Sequence, residues 1–192
     1  MVTLQNIVLA CWAAILLYWI ISARSAKPAQ EIKRHFGSLW VNAGRLILTF
    51  LFIEGFGLLM PVYPFALLFA PHSQSILIVG VVMVAVGLVV AVLARRTLAS
   101  NWSKDIDLKM SHELITTGIY SSVRHPIYTG ILLMALGTLL FKGTIGLLIF
   151  FLIILTFMMF KIKEEEELLM KHFPEEYPAY KKRVKALIPF IW

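Results

Sequence analysis

Five apolar runs set the terms on which this chain can fold. Val2–Ile21, Leu39–Met60 and Ile76–Ala94 approach or exceed the roughly 20 residues with which a helix spans the hydrocarbon core of a bilayer. Ile127–Phe141 is shorter, and only Lys142 and Gly143 part it from Thr144–Phe160, so the last two runs predict a tight helical hairpin. Its first helix has room to start earlier, inside the polar motif that precedes it. Of the 192 residues, 59% are hydrophobic and 15% charged, more apolar surface than a soluble domain of this length can cover, so lipid must solvate part of it. The chain reads as an all-α integral membrane protein with about five transmembrane helices. It reads as a single membrane domain, with three helices in residues 1–94 and the chemistry-bearing half in 95–192. The first run starts near Met1 with no basic residue before it, and is expected to be a retained helix rather than a cleaved signal.

Charge then orients the runs. Lys and Arg number four in 22–38, five in 95–126 and seven in 161–192, but none in 61–75. The positive-inside rule therefore puts the basic connections and the C-terminus in the cytosol and the N-terminus outside. The formal charge of +7 is a topology and anionic-lipid signal, since the basic residues are dispersed along membrane edges without a nucleic-acid-binding module. The single cysteine, Cys11, excludes an intrachain disulfide, and no C-x-x-C or H-E-x-x-H spacing suggests a metal. Arg45 and Glu54 lie inside the second run, about 13 Å apart along a helix, too far to pair. Asn101 in N-W-S fits a glycosylation sequon only formally in a cytosolic loop, and Trp102 suits an interface anchor. Gly80 and Gly87 in the third run offer a close-packing face, expected to serve packing within the monomer.

The chemistry is concentrated in Gly118–Gly130, G-I-Y-S-S-V-R-H-P-I-Y-T-G, and in the four glutamates Glu164 to Glu167. Polar groups at a lipid boundary are costly to hold and are functional suspects by default. If the last two runs form a hairpin, Tyr120, Arg124, His125 and Tyr128 become neighbours of Lys161 and the glutamates. Such a site combines carboxylates for a ribose diol or an amine, aromatic faces for a sulfonium or ammonium, and an arginine fork for a carboxylate or phosphate. Each group also has a structural use. His125-Pro126 can simply start a helix, Arg124 can anchor at headgroup level, and the glutamates can pair along a helix face with Lys161, Lys163 and Lys171.

Four blocks in order, L-A-S-N-W-S, H-E-L-I-T-T-G-I-Y, R-H-P-I-Y-T-G and the tail from E-E-E-L-L-M-K-H-F-P-E-E-Y-P-A-Y to K-K-R-V-K-A-L-I-P-F-I, make residues 95–192 resemble the catalytic half of the isoprenylcysteine carboxyl methyltransferase family. The resemblance implies S-adenosylmethionine as methyl donor, in a cytosolic pocket built from the 95–126 connection and the tail. It implies cofactor contacts from His112, Glu113, Leu114, Ile115, Tyr120, His125, Pro126, Ile127, Tyr128 and Glu165. It implies that Arg124, Lys161 and Arg183 handle an acceptor carboxylate, with a lipophilic acceptor arriving from the bilayer. Lys161 stands where the family favours arginine, Pro174 replaces the usual glycine after Phe173, and Lys185 replaces the proline of R-V-P. These departures bear on the acceptor more than on the donor.

Three alternatives stay open at this point. Phospholipid amine methyltransferases share the R-H-P and E-E blocks. Sterol-type reductases using NADPH share R-H-P-x-Y-x-G, but resemble R-D-D and K-Y-G in the tail where this chain has E-E-E-E-L-L and H-F-P. A non-catalytic membrane scaffold would bind no cofactor and tolerate changes at Tyr120 and Glu165.

Overall fold

The computed structural model describes residues 3–23, 73–98 and 114–189. The second apolar run with Arg45 and Glu54, the N-W-S segment, and His112 and Glu113 lie outside the described residues. The described part is helical. Its elements are α1 (Leu4–Ala23), α2 (Gln74–Leu98), a 3-10 turn (Gly118–Ser121), α3 (Pro126–Lys142), α4 (Ile145–His172) and α5 (Glu176–Arg183). By length and composition α1, α2 and α4 can each cross a membrane, while α3 is a shorter apolar helix of 17 residues.

The helix ends follow from local chemistry. Pro126 occupies the first turn of α3, where its missing N–H costs no helical hydrogen bond, with His125 as the cap residue. Gly143 closes α3 at φ 63°, a left-handed conformation that favours glycine, and its N–H donates to the Leu139 carbonyl. Thr144 then caps α4 by accepting from the Leu147 N–H at 3.3 Å. One glycine and one cap thus turn the chain within two residues. Tyr128 near the start of α3 meets Glu165 near the end of α4, so the two helices run antiparallel.

α4 carries on past the apolar run that ends at Phe160, as the helix-face reading of the glutamates allows. It continues unbroken to His172, because K-I-K-E-E-E-E-L-L-M-K-H is made of good helix formers. Its 28 residues amount to about 42 Å, against a hydrocarbon core of about 30 Å, so the glutamate turns stand beyond what lipid alone would cover.

The most extensive helix packing is that of α2 on α3. Its seam is built on glycines seven residues apart on each helix. A Cβ built on Gly80 would lie 2.7 Å from the Gly137 carbonyl oxygen, and one on Gly87 would lie 2.6 Å from that of Gly130. The small-residue face of Gly80 and Gly87 is therefore used within the chain, letting backbones approach as they do in membrane helix pairs. α1 joins through Val8 and Ile15, which cluster with Val81, Val84, Ala91 and Met134. The Trp12 indole N–H adds a hydrogen bond to Thr138 Oγ1 at 3.0 Å. At the other end of α1 the buried Arg95 donates from Nη2 to the Ser22 carbonyl at 3.0 Å. The C-terminal ends of α1, α2 and α4 and the start of α3 consequently share one end of the bundle.

Candidate active site

That end is organised by a piece of extended tail. Val123 and Lys185 form a parallel bridge, with the Arg124 N–H donating to the Lys185 carbonyl at 2.8 Å and the His125 N–H to that of Ala186 at 3.0 Å. Thr129 Oγ1 donates to the Leu187 carbonyl at 2.8 Å. Ala186 and Leu187 pack on Ile162, with Tyr128, Leu132 and Met159 around them. Residues 184–187 thereby tie the R-H-P motif to the α3–α4 pair. α5 is fastened separately: the Tyr180 hydroxyl donates to the Tyr120 carbonyl at 2.6 Å, and Tyr177, Tyr180 and Val184 form a core that Leu114 joins.

Within this frame Glu165 and Glu166, adjacent in sequence, have different surroundings. Their side chains are 25% and 8% exposed, so Glu165 is the more accessible of the two. Glu165 Oε1 accepts from the Tyr128 hydroxyl and lies 3.9 Å from Lys161 Nζ. Its Oε2 is 3.5 Å from His125 Nδ1. Lys161 Nζ also sits 5.6 Å from the centroid of the Tyr128 ring, within cation–π range. The His125 and Tyr128 rings are stacked, with centroids 5.7 Å apart and planes 14° from parallel.

Glu166 is enclosed by cations. Its Oε1 accepts from Arg124 Nε at 2.9 Å and Nη2 at 2.6 Å and faces His125 Nε2 at 3.3 Å, while Oε2 is 2.6 Å from Lys181 Nζ. Arg124 Nη1 also donates to the carbonyls of Lys181 and Val184. The sequence reading points Arg124 at the acceptor. In the structure its guanidinium contacts Glu166 and the tail carbonyls, which partners the buried carboxylate with a charged donor.

His125 is held between the two carboxylates. Burial pushes its pKa down, but the hydrogen bonds and charges of Glu165 and Glu166 outweigh this, and the pKa is raised. Both ring nitrogens face carboxylates, Nδ1 that of Glu165 and Nε2 that of Glu166, which favours the protonated ring. Burial also raises the Tyr120 pKa, keeping that phenol neutral, and pushes Tyr180 up to about 12 against the nearby Arg124 and Arg183 charges.

Of the residues singled out from sequence, Tyr128, His125, Lys161 and Glu165 come together directly. Tyr120 is buried alongside and Pro126 is fully buried. Leu114 packs on the α5 side, Ile115 and Ile127 are partly buried, and Arg183 is exposed at the end of α5. Sequence reasoning named Glu166 only as one of the four glutamates and did not mark Lys181. A signal for Glu166 was present: Ile154, Met158, Ile162 and Glu166 recur every four residues as one buried stripe of α4, so a carboxylate continues an apolar face. Lys181 carried no comparable mark, being one of three consecutive basic residues.

The sequence profile of the phospholipid methyltransferase family matches residues 75–176, just over half of the chain, and the chain belongs to that family. Among individual relatives it resembles the protein-S-isoprenylcysteine O-methyltransferase of Saccharomyces cerevisiae, 35% identical over 117 residues, which are 59% of this chain and 49% of the yeast protein. The Schizosaccharomyces pombe enzyme of the same name is 41% identical over 81 residues, 42% of this chain and 34% of that protein. The human one is 34% identical over 117 residues, 59% of this chain and 41% of that protein. The chain thus spans about half the length of these relatives, or less. The fold is similar to a solved eukaryotic intramembrane Ras methyltransferase, isoprenylcysteine carboxyl methyltransferase. The TM-score is 0.62 at 24% identity, covering 98% of this chain and 65% of that one.

Proposed function

We propose that this protein is a membrane methyltransferase that moves a methyl group from S-adenosylmethionine to the carboxylate of a lipophilic, isoprenylcysteine-like acceptor. The observation that carries the reading is the convergence of Tyr128, His125 and a partly exposed Glu165 at one end of the bundle. The residues present suit the donor. Glu165 offers an anionic edge to an amine or a ribose diol, and the ring faces of His125 and Tyr128 suit an adenosyl group or cation. His112, Glu113, Leu114, Ile115, Tyr120, Pro126 and Ile127 complete the proposed contacts.

When bound, S-adenosylmethionine supplies a methyl group on a positively charged sulfur, already a strong electrophile. The protein's part is to align the acceptor and exclude water from it. An ionised carboxylate needs no proton removed. This matches a site whose histidine has both ring nitrogens turned to carboxylates and is poorly placed to act as a base. An amine acceptor, as in phospholipid methylation, must lose a proton and would need such a base. Lys161, beside Glu165, and Arg183, at the end of α5, are the proposed holders of the acceptor carboxylate. Arg124, held by Glu166 and the tail carbonyls, is the third proposed member of that group. We further place the site on the cytosolic side, with the N-terminus outside, about five helices in one membrane domain, and lateral entry of the acceptor from the bilayer.

The test is calorimetric titration of the detergent-purified protein with S-adenosylmethionine and, separately, NADPH, followed by methyl transfer to an N-acyl S-prenylcysteine and to a phospholipid amine. Donor binding and transfer to the prenylcysteine are expected. NADPH binding alone would point to a reductase, and binding of neither would sink the reading. Glu165→Ala should weaken donor binding, while Arg183→Ala should spare it and impair transfer.

A further inference from the structure

We infer that Glu166 is a positioning residue for donor binding, acting through Glu165 rather than on the ligand; this rests on the methyl-transfer reading above. The two carboxylates share one set of cations. His125 faces Glu166 through Nε2 at 3.3 Å and Glu165 through Nδ1 at 3.5 Å. Arg124 and Lys181 are satisfied by Glu166, each with a contact of 2.6 Å. With its side chain only 8% exposed and its oxygens taken by Arg124, Lys181 and the His125 ring, Glu166 has little surface to offer a ligand. What it does is neutralise cations that would otherwise draw Glu165 inward.

The fold makes this division of labour unavoidable. Neighbouring positions on a helix point about 100° apart, so when Glu166 faces the packed interior Glu165 is turned towards the edge of the cluster, where it is partly exposed. Glu166 continues the buried stripe of Ile154, Met158 and Ile162. Its carboxylate then binds the motif segment through Arg124 and His125, and α5 through Lys181. The His125 ring so held stacks on Tyr128, whose hydroxyl donates to Glu165. The orientation of the open carboxylate is thus set by the closed one.

A double-mutant cycle tests this with S-adenosylhomocysteine binding to the detergent-purified full chain. Glu166→Gln keeps the shape but removes the charge, and is expected to weaken binding about tenfold, the scale of one lost charge-assisted contact. Glu165→Gln should weaken it by a similar factor. Because Glu166 acts through Glu165, the double variant should be no weaker than the weaker single variant. Glu166→Asp, which keeps the charge, should bind more tightly than Glu166→Gln, and Lys182→Met should bind as wild type does. Losses that multiply in the double variant, or equal damage from Asp and Gln, would overturn the inference in favour of a purely structural role. If wild type binds no S-adenosylhomocysteine, the methyltransferase reading falls. The contact between Glu166 and His125 is tested independently by 15N-histidine NMR, in which unchanged His125 ring-nitrogen signals in Glu166→Gln would overturn the inference even where donor binding is intact.

Discussion

Gly130 joins the packing seam to the R-H-P-I-Y-T-G motif, so adding one methyl group there tests the fold and the site together. A Cβ at this position would meet the Gly87 carbonyl oxygen at 2.6 Å, the Ala91 backbone nitrogen at 2.7 Å and the Ala91 Cβ at 2.8 Å. Ordinary contact begins near 3.4 Å, so the Gly87 oxygen must retreat by about 0.8 Å, the difference between 3.4 and 2.6. Two of the three obstacles are backbone atoms and no side-chain rotation relieves them. Overpacking of this kind costs about 1–3 kcal/mol, and the helix preference of alanine over glycine returns about 1 kcal/mol. Three contacts below 3.0 Å place the cost at the upper end of that range, so Gly130→Ala is expected to lose about 2 kcal/mol of stability and to tilt the first turn of α3, carrying Tyr128 away from Glu165.

Gly80→Ala is the matched comparison. Its Cβ would lie 2.7 Å from the Gly137 oxygen and 2.9 Å from the Phe141 nitrogen, a similar clash placed about 10 Å further along α3. Thermal unfolding in detergent should fall for both variants, whereas S-adenosylhomocysteine affinity should fall only for Gly130→Ala. Wild-type stability for Gly130→Ala, or equal loss of affinity in the two, would refute the reasoning.

Three further outcomes are expected. Tyr128→Phe deletes the hydroxyl that donates to Glu165 and should weaken donor binding several-fold, on the scale of about 1 kcal/mol for one hydrogen bond, with little change in unfolding temperature. Ending the chain after Arg183 removes the carbonyls that accept from Arg124, His125 and Thr129, and should abolish donor binding even where the helices still assemble, as judged by circular dichroism. The raised pKa of His125 sets the sign of a pH effect: its stabilisation is complete below the ordinary histidine value of about 6.5 and is lost as pH rises through the folded value. Unfolding temperatures measured from pH 6 to 9 should decline on the alkaline side in wild type and flatten in His125→Gln.

Much of this architecture could be read before any coordinates. Apolar runs of bilayer length, the K-G-T joint after α3 and the proline opening α3 are local signals, and the elements began within two residues of where the runs did. The close-packing use of Gly80 and Gly87 was legible for the same reason, since a bare backbone stripe invites another backbone. The end of α4 was not legible from hydropathy, which stops at Phe160 while helix propensity does not.

The sequence by itself determined the membrane class, the polar end of the bundle and the set of groups available there, because composition and periodicity are properties of neighbouring residues. Only the tertiary structure decided which group faces which. Glu165 and Glu166 are the same residue in adjacent positions, yet one is left partly open and the other is buried among Arg124, His125 and Lys181. That difference arises from the tail at 184–187 and α5 folding back over the motif, contacts made across some 60 residues. Charge at a given site depends on burial and partners, and both are supplied by distant segments that no local pattern encodes.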